Sequence, residues 1–183
     1  MTGADVRSVL DRLDAARIVW WVDGGWGIDA LLGEETRPHD DLDLVVARAD
    51  LPRVQAALRE FRHVADEWWP ARFVLRDDRG RQVDLHPLVF DEHGDGWQEL
   101  PNGGRGRYPR DELCAIGHIG GRDVRCISAA LQVRFHDYAD PDDIDWDDLR
   151  VLCERFGLDS PPAYARRPRY LDPKRSAARP RVP

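Results

Sequence analysis

Two short blocks of this sequence hold the residue types that phosphate and metal chemistry require. In Asp23-Gly24-Gly25-Trp26-Gly27-Ile28-Asp29 a glycine turn separates a strand-like run from a helix-like run. In Arg37-Pro38-His39-Asp40-Asp41-Leu42-Asp43-Leu44, a few residues on, two carboxylates stand two positions apart on a second strand-like run. A helix start offers free backbone N–H groups and the positive end of its dipole, a seat for phosphate oxygens. Side chains of a strand alternate between faces, so Asp41 and Asp43 share one face and Leu42 and Leu44 take the other. Adjacent carboxylates repel. Magnesium, which takes hard oxygen ligands and leaves positions for water and phosphate, is the natural counter-charge. Each signal alone has a plain reading: a connecting turn for the glycines, a charged edge strand for the acids. Together they point to a nucleoside triphosphate and its metal.

A third carboxylate lies in Arg81-Gln82-Val83-Asp84-Leu85-His86-Pro87, where Gln82, Asp84 and His86 alternate with Val83 and Leu85. The run Arg72 to Arg76 precedes it, with Asp77-Asp78-Arg79-Gly80 as the turn, so a hairpin is expected. Beside the Asp41 strand, Asp84 would reach the metal or take a proton from an attacking hydroxyl. Spacing alone leaves it equally an exposed hairpin residue.

The elements that must position these groups are legible in outline. Val6, Val9, Leu10 and Leu13 give an amphipathic helix over Asp5 to Ala16. A strand over Ile18 to Val22 leads into the glycine turn and a short helix from Trp26 to Leu32. Asp50 to Phe61 reads as a second amphipathic helix, capped by Asp50 with Pro52 in its first turn. Strands are expected near 64–68 and 72–75. The segment Asp91 to Arg107 reads as a loop or a strand pair with long turns, with Trp97 pinning it to the core. A strand over Val124 to Ile127 follows, and from Ser128, an N-cap, the pattern is helical. His136 and Asp137 lie on that helix, on a face that meets either the cleft or solvent. The acids from Asp140 to Asp148 resemble a calcium loop, but Asp148 stands where the sharp-turn glycine belongs, so a helix start is the better reading. This order predicts an α+β fold with helices on one face of a sheet.

At 183 residues, 42% of them hydrophobic and with seven tryptophans, the chain can bury one core and a small lobe. No run approaches transmembrane length and no secretory segment opens the chain, so a cytoplasmic protein away from membranes is expected. Cys114, Cys126 and Cys153 form no close pair, which argues against a disulfide or zinc framework. All three read as buried small residues. Residues 165–183 carry a net charge of +6 against −7 for the whole chain, so the body is strongly acidic. That disfavours nucleic acid as a partner and suits a cationic small molecule. The Pro- and Arg-rich tail, 166–183, reads as disordered.

The glycine turn, the Arg37-to-Leu44 block and Val83-Asp84-Leu85-His86 resemble the antibiotic nucleotidyltransferases, in particular the lincosamide nucleotidyltransferases, and also the aminoglycoside 2''-nucleotidyltransferases. The likeness runs on through Val124-Arg125-Cys126-Ile127-Ser128, Val133-Arg134-Phe135-His136-Asp137-Tyr138 and Asp147 to Glu154, with Pro162 and Tyr164. It covers roughly residues 5–165. It implies a polymerase-β-like nucleotidyltransferase fold, with a mixed-sheet core over 1–110 and a C-terminal strand and helical part over 111–165. It implies transfer of AMP from ATP to an antibiotic hydroxyl with release of pyrophosphate. Asp41 and Asp43 would hold Mg2+, and Asp84 would be the base or a third carboxylate. Gly24, Gly25 and Arg37 would contact the triphosphate of ATP, and His86, His136 and Asp137 are candidates for the acceptor. Members of this family pair, so a homodimer is compatible with the resemblance. The broader superfamily carries Gly-Ser in the phosphate turn, and Gly24-Gly25-Trp26 lacks that hydroxyl. The downstream motifs lean to a lincosamide and the acidic body leans to an aminoglycoside. A protein acceptor, or a binding role without resistance, is the remaining alternative.

Overall fold

Alternation along the strands sets the layers of this molecule. The computed structural model describes residues 1–137 and 141–165. Helix α1 (Gly3–Ala15) starts at a capping box between Thr2 and Asp5 and buries Val6, Val9, Leu10 and Leu13, the predicted stripe. Strand β1 (Trp20–Asp23) then runs straight into α2 (Gly24–Leu32), which ends on the left-handed Gly33. Strand β2 (Asp41–Ala47) follows, then a 3-10 turn and α3 (Leu51–Ala57).

Helix α3 is shorter than the expected Asp50-to-Phe61 span, and Asp50 makes no side-chain cap to it. Asp50 instead accepts from Arg53 at 2.6 Å. Phe61 leaves the helical pattern because it opens β3 (Phe61–Val64), an edge strand paired with β4 (Phe73–Asp77). Strand β4 forms the expected hairpin with β5 (Gln82–Phe90). The Gly- and Asp-rich segment is a strand pair, β6 (Gly96–Glu99) and β7 (Arg105–Tyr108), extending from the end of β5. Trp97 donates its indole N–H to Asp91 at 2.8 Å, which pins that turn.

Strand β8 (Ala115–Ile119) was not expected from the sequence; it pairs with β9 (Arg122–Cys126). Gly117 interrupts its pattern because α2 crosses there. A Cβ at that position would lie 2.6 Å from the Ala30 backbone. The chain closes with α4 (Ala129–Phe135), capped by Ser128 as expected, α5 (Asp143–Phe156), and a 3-10 turn over Pro162–Ala165.

The sheet path is β3-β4-β5-β2-β1-β9-β8, mixed in direction: β2 runs parallel to β5 and antiparallel to β1. Leu42, Leu44, Val46, Val83 and Leu85 face α1 and α3 and form the main core with Trp20 and Val22. Val45 and Leu88, on the opposite face, pack with Tyr108 and with Leu131 of α4. A third cluster joins Ile28 of α2 to Ala129, Leu149, Leu152 and Tyr164, docking the C-terminal helices against α2. Cys126 and Cys153 are buried as expected, whereas Cys114 is exposed because it follows a surface turn; all three are free thiols. Among the described residues no helix is long and apolar enough to cross a membrane. The Pro- and Arg-rich tail expected over 166–183 lies outside the described residues.

Candidate active site

Register builds the site. Asp23 of β1 pairs with Asp43 of β2, and Asp43 with Asp84 of β5. Directly paired residues point to the same face. Three carboxylates therefore stand in a row across three adjacent strands, on the face away from α1 and α3. Asp41 sits two positions before Asp43 on the same face, opposite Gln82. The sequence reading united Asp41, Asp43 and Asp84 and missed Asp23, whose place depends on a strand register that spacing does not reveal.

The phosphate turn abuts this row. Asp23 is the N-cap of α2, and its carboxylate accepts from the Gly24 N–H at 2.7 Å. Gly24 has φ +58°, and a Cβ there would fall 2.2 Å from Asp43 Oδ2. Only glycine brings the start of α2 this close to the acids. A Cβ on Gly25 would lie 2.6 Å from both Arg37 Nη2 and His39 Nδ1, so those two side chains lie over the turn. His39 and Thr36 are tied to Asp29 of α2, His39 Nε2 at 2.5 Å, and the His39 ring lies 4.6 Å from the Trp26 ring, tilted by 38°. Arg37 is held from the other side by Asp148 of α5, through Nε at 2.9 Å and Nη2 at 2.6 Å. The cation expected to meet phosphate thus stands beside Gly25 with a carboxylate fixing its direction.

Like charges crowd the row. Burial, then Asp43 and Asp41, push the Asp84 carboxyl up to about 7 against the opposing pull of Arg72, whose Nη1 is 3.3 Å from Oδ2. Asp84 Oδ1 is buried with no hydrogen-bond partner. Asp23 is also raised, first by burial. An orphaned buried oxygen beside other carboxylates is what a divalent cation would satisfy. Asp41, Asp43 and Asp84 are the candidates to hold one. Among the described residues no three acidic, His or Cys side chains are arranged to hold a metal ion together, so one or two of these carboxylates at a time would serve. Magnesium takes only one or two carboxylates and completes its shell with water and phosphate oxygens, so this open set fits it.

The three residues expected near an acceptor fall in different settings. His86 is buried beneath the row, with Nε2 3.1 Å from Asp43 Oδ1 and Nδ1 3.1 Å from Gln98 Nε2. His136 is buried, its Nδ1 2.8 Å from the Gln132 carbonyl. Asp137 is exposed at the end of α4. Gln98 and Gln132 were not foreseen; Gln98 lay in a segment read as loop or strand pair, where alternation over four residues is too short to read. A surface hollow between α1 and α3, lined by Arg12, Glu60 and Arg81, lies on the opposite side of the sheet and contains none of the site residues.

A mixed sheet carrying a strand–glycine turn–helix beside a carboxylate row defines a nucleotidyltransferase. Comparison with known proteins places it more narrowly: a family model described as aminoglycoside-2''-adenylyltransferase matches residues 5–152, and the chain belongs to that family. A lincosamide resistance protein of Staphylococcus haemolyticus is 28% identical over 153 residues, which is 83% of this chain and 94% of that protein. A 2''-aminoglycoside nucleotidyltransferase of Escherichia coli is 28% identical over 165 residues, 84% of this chain and 87% of that one. Among solved structures, the lincomycin-bound lincosamide antibiotic adenylyltransferase LnuA is 27% identical with a TM-score of 0.73, covering 83% of this chain and 96% of its own. The ANT(2'')-Ia complex with adenylyl-2''-tobramycin, 24% identical, shares the fold with a TM-score of 0.69 over 85% of this chain and 89% of its own. The chain is thus an antibiotic nucleotidyltransferase by family, and the resemblance read from its motifs is borne out.

Proposed function

We propose that this protein transfers AMP from ATP to a hydroxyl of a small-molecule antibiotic, a lincosamide in the first instance, and releases pyrophosphate. The observation that carries the reading is the row Asp23, Asp43, Asp84 standing against the Gly24-Gly25 start of α2. The phosphates of ATP would lie over that helix start, near Arg37. Asp41 and Asp43 would hold magnesium with the triphosphate, and the metal would neutralise charge on the phosphate oxygens. Asp84, with its carboxyl raised to about 7, is poised to take the proton of the acceptor hydroxyl. The freed oxygen bonds to the α-phosphorus as the bond to the bridging oxygen of pyrophosphate breaks. Positioning and electrostatics supply most of the acceleration.

Residues 1–110 would form the nucleotidyltransferase core, and the C-terminal part over 111–165 would orient the acceptor. The first acceptor is a lincosamide because the lincosamide relative and the LnuA structure are matched over nearly their full lengths. An aminoglycoside is the second reading, supported by the family model and by the acidic body, which suits an amine-rich ligand.

The test is mass spectrometry of lincomycin, clindamycin and kanamycin after incubation with ATP, magnesium and the protein. A gain of one AMP on the lincosamides supports the first reading, and a gain on kanamycin alone moves the protein to the second. No adduct on any of the three, with ATP and magnesium still bound, would leave another acceptor, including a protein.

A further inference from the structure

Beneath the carboxylate row lies a buried polar chain that the transfer reaction does not itself use. Gln98 is fully buried on β6. Its Nε2 donates to the Ala71 carbonyl at 2.8 Å and stands 3.1 Å from His86 Nδ1, while its Oε1 accepts from the Tyr108 hydroxyl at 3.3 Å. The amide cannot be turned over. Its oxygen would then face the Ala71 carbonyl, acceptor against acceptor. An N–H of Gln98 therefore points at His86 Nδ1, which must accept, and the ring proton belongs on Nε2. From there it donates to Asp43 Oδ1 at 3.1 Å.

We propose that His86, its tautomer set by Gln98, is a positioning residue that aims the Asp43 carboxylate at the cation site. The inference rests on the reading of Asp43 as a magnesium ligand. It assigns a direction to each hydrogen bond in the chain Tyr108–Gln98–His86–Asp43, of which only the last member faces the triphosphate. One oxygen of Asp43 is taken by His86, so the carboxylate presents its other oxygen, Oδ2, on the side of the Gly24 turn. A ligand held this way has less rotational freedom to lose when the cation arrives. Partners of this kind beneath a metal ligand are worth about 10- to 100-fold in metal affinity. His86 is buried with both nitrogens engaged, so its influence on an acceptor would pass through Asp43.

The test is the binding of Mn2+, standing in for magnesium, to the full chain in the presence of α,β-methylene-ATP, which cannot be turned over. Free Mn2+ is read by electron paramagnetic resonance. Wild type is expected to bind. His86→Leu is expected to weaken binding by about 10- to 100-fold, and His86→Gln, whose amide can still donate to Asp43, to recover most of it. Gln98→Leu is expected to weaken it in the same direction by a smaller factor. Unchanged Mn2+ affinity in a folded His86→Leu, or equal loss in His86→Gln and His86→Leu, overturns the positioning role. If wild type itself binds no Mn2+ with the nucleotide analogue, the metal reading fails before any variant is made, so the two failures are told apart.

Discussion

The row Asp23, Asp43, Asp84 and the start of α5, with Asp142, Asp145 and Asp148, are both crowded with acids and use them in opposite ways. In α5 the charges are resolved by the fold. Asp142 and Asp145 form a capping box, and Asp148 holds Arg37. In the row, adjacent strands set like charges face to face, and burial and mutual repulsion raise both Asp23 and Asp84. One cluster stabilises a helix. The other keeps buried like charges side by side, with Arg72 and His86 as partial counterweights, which is the usual mark of a functional site.

Substitutions separate the two. The largest effect is expected from Asp43→Asn, which keeps the shape and removes the charge. Nucleotidyl transfer should fall by about 10²- to 10³-fold or more, with the thermal midpoint unchanged or raised. Near-normal turnover would remove Asp43 from the metal site. Next, Asp148→Ala leaves the half-buried Arg37 without its carboxylate. A loss of about 2–3 kcal/mol in chemical denaturation is expected, together with a raised KM for ATP. A stable variant with an unchanged KM would make the Arg37 contact incidental.

The third effect is on pH. Below about pH 4 Asp84 keeps its proton in the folded and unfolded states alike. Between there and about pH 7 only the unfolded state gives it up, so stability of the metal-free protein should fall as pH rises through that window. Asp23, raised first by burial, acts in the same direction. Denaturation curves at pH 5 and pH 8 in a chelator check this, and a flat profile would mean that the row is not strained. The smallest effect is expected from Asp142→Ala, about 1 kcal/mol of stability with transfer unaffected. A loss of transfer there would mean that the α5 acids also take part in the chemistry.

Much of this was legible in the sequence because it is local. Alternation along β2 and β5 put Asp41 and Asp43, and then Asp84 and His86, on their correct faces, and the β4–β5 turn announced the hairpin. The glycine turn was read correctly as the start of a helix, although the helix begins at Gly24 rather than Trp26. What was not legible depends on pairing between distant segments. Asp23 becomes part of the row only through its register with Asp43. Arg37 meets a partner 111 residues away. Gln98 matters only because β6 folds back to His86. Strand β8 was hidden by a glycine whose cause is the passage of α2. Helix α3 was overextended because Leu58 and Phe61 continue a helical spacing, yet Phe61 belongs to the sheet.

The most direct test of the account is the behaviour of Asp84→Asn at pH 8. Arg72 retains Asp66, 2.7 Å away, so the substitution removes a buried charge without stranding another. A higher thermal midpoint than wild type in chelator, a smaller gain on adding magnesium and ATP, and loss of AMP transfer are expected. A variant that is less stable than wild type without metal and still transfers AMP would contradict it.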